Sequence, residues 1–475
     1  MATKPNVLFL FADQMHAFAM GCMGNEDIST PNLDRLAASG TVFENCYTSN
    51  PVCTPYRACL LTGRYSCQTG MIGINNLPVP PGETCLADLV NKAGYRSSYV
   101  GKWHLGDSGN ISVPKEYRCG FTDFIGFQCV NDFYRDIWFF DEKENRRDFH
   151  KHRTVAMTDL ALERLAEVKD DPFCMLVSYS NPHYPVQPDK EYAEMYWEKE
   201  LTLRPNFQEI ENPFDPEKRY VPRSEDPEHT RRGDDTLSYI KMYYAMVTQL
   251  DHEIGRILDY LEEAGLMDST MIVFTSDHGD MQGSHGLGNK HVHYEESTRV
   301  PLIVKVPGTS GHRVSTPVDT TDFVPGILDY LNVPPSPMAE GKSFLELASG
   351  GTAPHREAIF VENGTNYYMI RKGPYKMVID QKTYAPQHLY DLEQDPYEMQ
   401  DLVDRQDLAD VQTGLVREII DWHRDVMSRV NPWRWIPEDA VSWRTKKAEG
   451  GVSREEYASV EFVSNWCLQQ RQAKL

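Results

Sequence analysis

Cys53-Thr54-Pro55-Tyr56-Arg57 sets a thiol one helical turn ahead of a guanidinium and runs on through Ala58-Cys59-Leu60-Leu61-Thr62-Gly63-Arg64. Thr54 suits an N-cap, Pro55 the first helical position and Gly63 a stop, so a helix is expected to begin just after Cys53. The thiol would then lie at the positive end of a helix dipole, beside unpaired N–H groups, where anions are favoured. Asp13, Gln14, Asp277 and His278 together offer three oxygen donors and one nitrogen. That set suits one hard divalent cation, Ca²⁺ first, with Mn²⁺ admitted by the imidazole. Lys102 and His104 (in Gly101-Lys102-Trp103-His104-Leu105-Gly106), His183 (in Asn181-Pro182-His183-Tyr184-Pro185) and Lys290 add cations and proton carriers. Taken singly, each has a plainer reading: a buried cysteine, a capping aspartate, a surface lysine, a loop histidine.

The run C-x-P-x-R followed by x-x-x-L-T-G-R resembles the signature of the type I sulfatases, of the alkaline-phosphatase-like superfamily, in which the cysteine is oxidised to formylglycine by a maturase. Tyr56 stands where that family usually has a small residue. The resemblance covers roughly residues 6 to 402 and is thin between 184 and 233. It implies that Asp13, Gln14, Asp277 and His278, with the side chain at Cys53, form the metal site. Gln14 and His278 are similar to the branch that contains choline sulfatases and phosphonate monoester hydrolases, rather than to the Asp-Asp and Asp-Asn of most members. It further implies that Arg57 holds the formylglycine hydrate, Lys102 and Lys290 bind sulfate, His104 assists aldehyde regeneration and His183 stands beside the leaving oxygen. Trp103, next to Lys102, is read as a face for a sugar ring. Tyr134, Trp138, Phe139, Phe140, Tyr184 and Trp197 are weighed in the same way against ordinary core packing. No family role attaches to His291 or His293.

These residues need elements to position them. Asn6 to Ala12, Tyr95 to Val100, Phe173 to Ser180 and Met271 to Thr275 read as short apolar strands buried on both faces. Each ends in candidate chemistry: Asp13, Lys102, His183 and the Asp277-His278 pair. In open parallel sheets ligands bind beyond the carboxyl ends of the strands, so four such endings point to a site. Pro301 to Val306 reads as one more strand. Helices are expected from Thr30 to Gly40, Cys85 to Ala93, Thr154 to Val168 and Thr236 to Ala264. The alternation argues an α/β fold, a large, mostly parallel sheet flanked by helices. Phe121 to His152 and Tyr184 to Asp235 read as additions that rim a cleft or run over the surface. The Pro/Gly/Ser-rich stretch near 334–354 marks a boundary: a catalytic domain over 1–350, with 184–235 a rim insertion, and a C-terminal α+β subdomain over 351–475. In the latter, Ala358 to Glu362, Tyr367 to Arg371 and Tyr375 to Ile379 alternate like antiparallel strands, before a helix from about Leu408 to Met427.

The formal net charge of −22 over 475 residues argues against nucleic acid and against an anionic membrane surface. An anionic substrate must therefore be captured by a local basic pocket. Ten cysteines, with no C-x-x-C pair, argue reduced thiols rather than a disulfide framework or zinc. No segment reads as a transmembrane span, and the apolar run from Val7 to Ala12 is too short for a signal peptide. The expectation is a cytoplasmic enzyme, or a periplasmic or secreted one if an export signal precedes this sequence. A small sulfated saccharide is the expected substrate; the sequence leaves the oligomeric state open. Two rivals stand beside this reading: a phosphonate or phosphodiester hydrolase on the same scaffold, and a silent binder of sulfated ligands. A two-zinc phosphatase lacks a second His/Asp ligand set.

Overall fold

The computed structural model describes residues 4–74, 77–134, 137–210, 235–364, 366–432 and 434. Cys467, the tail beyond 434 and residues 211–234 of the suspected insertion lie outside them. Ten strands form the central sheet. In spatial order they are His312–Val314, Thr41–Phe43, Leu302–Lys305, Thr270–Ser276, Asn6–Asp13, Phe173–Pro182, Arg96–Lys102, Asp123–Phe127, Trp138–Phe140 and Arg146–Asp148. The five from Thr270–Ser276 to Asp123–Phe127 run parallel. All eight residues of Asn6–Asp13 are buried. Leu8, Leu10 and Ala12 pack with the helices Arg153–Val168 and Thr236–Glu263, while Val7, Phe9 and Phe11 pack with Cys53–Thr62, Leu86–Lys92 and Phe323–Tyr330. A strand covered on both faces must be apolar at every position, which is why it reads as an unbroken run.

The strand expected over Pro301 to Val306 is present as Leu302–Lys305, and it joins the sheet antiparallel to Thr270–Ser276, an orientation that apolar content cannot reveal. One sequence expectation changes. Phe121 to His152 is no rim addition: Asp123–Phe127 is a parallel member of the sheet, and Trp138–Phe140 and Arg146–Asp148 extend it antiparallel. The nine described cysteines are free thiols. Among the described residues no helix is long and apolar enough to cross a membrane.

A small C-terminal subdomain carries a four-stranded antiparallel sheet, Ala358–Asn363, Tyr367–Lys372, Tyr375–Asp380 and Pro386–Asp391, against the helix Ala409–Ser428. It grips the segment that follows Lys290. Lys376, fully buried, pairs with Glu295 at 3.0 Å and Glu398 at 2.7 Å. Burial works against the Glu295 carboxylate, yet Lys376 and Arg299 pull it down to about 2. Burial, aided by Glu295 and Glu296 and opposed by Lys376, pushes Glu398 up to about 7. A carboxyl raised in the fold contributes stability that is complete below its ordinary range and is lost as pH rises through its folded value. The thermal midpoint of the wild type should therefore fall relative to Glu398→Gln as pH goes from 5 to 8. Parallel melting curves across that range would contradict the assignment.

Candidate active site

The carboxyl ends of four adjacent parallel strands bring the predicted residues together. Asp13 closes Asn6–Asp13, Lys102 closes Arg96–Lys102, His183 follows Phe173–Pro182, and Asp277 follows Thr270–Ser276. Gly101 allows the close strand contact this needs. Its φ is +112°, and a Cβ there would lie 2.2 Å from the Ser178 carbonyl oxygen.

The helix Cys53–Thr62 points its N-terminus at this edge, and every one of its residues is buried. It starts at Cys53, with Val52 in extended conformation as its N-cap, so Thr54 does not cap it. Thr54 instead donates its hydroxyl to the His104 carbonyl at 3.0 Å, tying the helix to the turn after Lys102. Gly63 ends it in left-handed conformation, its N–H bonded to the Cys59 carbonyl.

Around Cys53 Sγ lie His278 Nε2 at 3.1 Å, Lys290 Nζ at 3.5 Å and Asp13 Oδ1 at 3.7 Å. Asp13 Oδ2 accepts from Lys102 Nζ at 2.6 Å and from an Arg57 N–H at 3.1 Å. Arg57 also approaches Asp277 at 3.5 Å and donates to the Lys102 carbonyl and to Ser178 Oγ. Lys290 Nζ donates to Gln14 Oε1 at 2.8 Å and meets His183 Nε2 at 3.1 Å. His104 is buried, and its Nδ1 has no hydrogen-bond partner. Gln14, His104 and Asn289, at the strand exits and beside Lys290, take φ of +70°, +55° and +66°, a sparsely populated region for such residues.

Burial and neighbouring charge together set the protonation states. Burial would raise Asp13, but Lys102, His183, Arg57 and Lys290 hold it well below the usual carboxylate range. Burial and then the Asp13 charge push Asp277 up to about 7. Burial and the same charge lift the Cys53 thiol to about 12. Burial, with Lys290 next, keeps His183 and His278 well below the ordinary imidazole value, and burial with Lys102 does so for His104.

Asp13, Cys53, Asp277 and His278 converge, with one donor atom of each within 4.8 Å of the others. The donor chemistry fits a hard divalent cation. Asp277 Oδ2 is buried without a hydrogen-bond partner. His278 Nδ1 lies 3.1 Å from the Gly279 carbonyl, which assigns the proton there and leaves the Nε2 lone pair facing the cluster.

Trp103 does not reach the site. It is fully buried against Tyr99, Phe121 and Phe124 and offers no face to a sugar. Phe139 is likewise core, and Tyr134 and Trp197 lie half-buried against the same core. Trp138 lies under Arg146, 3.6 Å from its ring centre. Of the weighed aromatics, Tyr184 adjoins the site, its ring 4.3 Å from that of His183. His293 is buried, stacked near His388 and Tyr294, and the His291 carbonyl accepts from Asn363. Ser178 and Asp280 enter the network without having been singled out as site residues. Ser178 sits inside an apolar run, and Asp280 differs from an ordinary turn aspartate only by its three-residue spacing from Asp277.

The family model described as Sulfatase matches residues 5–333. The chain belongs to the sulfatase family. A second model, N-sulphoglucosamine sulphohydrolase, C-terminal, matches residues 283–425. The ulvan-active sulfatase of Formosa agariphila is 32% identical over 430 residues, covering 87% of this chain and 80% of that one. A solved structure in complex with its substrate D-glucosamine-2-N,6-O-disulfate superposes with a TM-score of 0.77 at 26% identity, covering 91% of this chain and 99% of its own. The phosphonate monoester hydrolase of Agrobacterium radiobacter shares the fold, with a TM-score of 0.72 at 22% identity, covering 89% and 96%. This protein is thus a sulfatase enzyme with the alkaline-phosphatase-like fold.

Proposed function

We propose that this sulfatase removes sulfate from a small sulfated carbohydrate. Its nucleophile is a formylglycine made from Cys53 by a maturase, beside one divalent cation held by Asp13, Gln14, Asp277, His278 and the residue-53 side chain. The observation that carries this reading is the crowding of three buried cations, Arg57, Lys102 and Lys290, around Cys53 in a protein of formal net charge −22. Such a centre takes an anion.

The cation, Ca²⁺ foremost with Mn²⁺ the alternative, supplies neutralising charge for a sulfate oxygen. The hydrated aldehyde made from Cys53 would supply two hydroxyls, a nucleophile for sulfur and a second group whose deprotonation would release sulfate. This chain's own side chains do the rest. Lys102 and Lys290, both buried, bind the non-bridging oxygens and stabilise the charge that develops there. Arg57, fixed by Asp13, Ser178 and the Lys102 carbonyl, holds the nucleophile's charge. Asp277 orients the attacking hydroxyl and takes its proton. His183 donates Nδ1–H to the Tyr184 carbonyl, and its Nε2 faces Lys290, so this pair carries the proton for the departing sugar oxygen. His104 takes the proton of the second hydroxyl at its unpartnered Nδ1.

The carbohydrate assignment is supported by the relatives, one ulvan-active and one with a glucosamine disulfate as substrate. The negative overall field disfavours a long polyanion, while a Debye length of ~8 Å leaves a small anion free to enter a basic pocket. Gln14 and His278 favour a second reading, a phosphonate monoester or phosphodiester hydrolase. A panel of sulfated monosaccharides, oligosaccharides, intact polysaccharides, choline sulfate, an aryl phosphonate and a phosphodiester separates the readings. Small sugar sulfates should turn over fastest. Preference for the phosphorus esters would establish the second reading, and rapid action on intact polymer would refute the small-substrate assignment. His183→Ala should lower kcat ~10²–10⁴-fold on sugar sulfates but far less on an aryl sulfate, whose leaving group needs no proton. Equal losses on both would contradict the proton-donor role.

A further inference from the structure

Asp280 is fully buried, three residues past Asp277, and has no place among the groups that face Cys53. Its carboxylate gathers donors from three directions. Oδ2 accepts from Gln14 Nε2 at 2.7 Å and from the Tyr239 hydroxyl at 2.6 Å. Oδ1 accepts from the backbone N–H of Asn289 at 3.1 Å and of Gln282 at 3.3 Å.

An amide has a donor end and an acceptor end. Because Gln14 Nε2 is committed to Asp280, Oε1 is turned the other way, onto Lys290 Nζ, which itself lies 3.5 Å from Cys53 Sγ. The backbone of Gln14 is pinned as well: its N–H donates to Asp277 Oδ1 at 2.9 Å, and its carbonyl accepts from the Tyr243 hydroxyl at 2.7 Å. The buried side chain is held at its amide, by Asp280 at the donor end and by Lys290 at the acceptor end. The same carboxylate, through Asn289 N–H, anchors the left-handed turn that delivers Lys290. Without this acceptor the amide of Gln14 can turn over and present N–H groups to an ammonium and to a cation, which is repulsive in a buried site.

We propose that Asp280 is a positioning residue that selects the amide orientation of Gln14 and holds the Asn289–Lys290 turn, and so sets the affinity of this site for its divalent cation. The inference rests on the metal-dependent reading above. It also accounts for an amide rather than a carboxylate at position 14, since Gln14→Glu would bring two carboxylates to hydrogen-bond distance in a buried place.

Calorimetric titration of Ca²⁺ and of Mn²⁺ into metal-stripped full-length protein tests it, in wild type, Asp280→Asn, Gln14→Glu, the double variant, and Tyr239→Phe. Each of the first two single changes should weaken binding ~10–100-fold, the range for loss of a group that orients a metal ligand. The double variant should recover to within about 3-fold of wild type, because the new amide at 280 can donate to the new carboxylate at 14. Tyr239→Phe, which spares the Gln14 contact, should stay within about 3-fold of wild type. Losses that add in the double variant, or single variants that bind like wild type, overturn the proposal. The two readings fail separately. Rescue of cation affinity in a protein that prefers phosphorus esters would sink the sulfate assignment and keep Asp280. Sugar-sulfate turnover with unchanged affinity in Asp280→Asn would do the reverse. A wild type that takes up neither ion sinks both.

Discussion

Cys53→Ser is expected to lose kcat on sugar sulfates by ~10⁴–10⁶-fold, the scale seen when a nucleophile is removed. Serine keeps one oxygen in place, so the first attack on sulfur remains open, but no second hydroxyl exists to expel sulfate. The signature is a burst of at most one equivalent followed by arrest, whereas Cys53→Ala shows no burst. Unconverted Cys53 should also be nearly silent. Burial and the Asp13 carboxylate push its thiol up to about 12, so at neutral pH it is not the thiolate that nucleophilic attack requires. The helix should survive either change, since its residues pack all round and the substituted side chains are small. Steady turnover by Cys53→Ser would contradict the two-hydroxyl chemistry.

Asp13→Ala should produce the largest combined loss. Asp13 bonds both Lys102 and Arg57, and all three side chains are at most 2% exposed. Removing the carboxylate leaves Lys102 without its carboxylate and leaves Arg57 only the longer approach to Asp277, a change that costs about 3–5 kcal/mol when one partner of a buried pair is deleted. It also deletes one donor from the cluster proposed to hold the cation. Denaturant unfolding of metal-free protein should show that stability loss, and elemental analysis should show no bound cation. Adding Lys102→Met should restore part of the stability and none of the turnover, because the stranded charge is gone but the sulfate contact is gone too. Metal-free Asp13→Ala as stable as wild type would mean that the cations are not held as described.

Much of this was legible in the chain, for definite reasons. A strand buried on both faces must be apolar throughout, so Asn6–Asp13, Phe173–Pro182 and Thr270–Ser276 stand out, and a polar residue at their carboxyl ends is conspicuous. Gly63 and Gly94 mark helix ends well because each takes a positive φ there, while Gly40 ends its helix in extended conformation where a Cβ would crowd the Val304 carbonyl. Orientation was not legible: Leu302–Lys305 is as apolar as its parallel neighbours and runs the other way. Nor was Trp103. Adjacent residues leaving a strand point to opposite sides, so Lys102 enters the site and Trp103 enters the core. Aromatic content next to Lys102 therefore says nothing about a sugar face. The left-handed turns at Gln14 and His104 were hidden because side-chain type alone does not demand them. Asp280 stayed hidden for a different reason. Its importance lies in four donors drawn from segments up to 266 residues away.

The central claim, that catalysis passes through an aldehyde made from Cys53, is tested most directly by peptide mass spectrometry across residue 53. The peptide and the activity are measured on the same samples, prepared with and without a formylglycine-generating enzyme. The predicted result is a peptide in which the sulfur and two hydrogens have been replaced by one oxygen, with specific activity proportional to the converted fraction. Full activity in a sample whose Cys53 thiol is intact would contradict it.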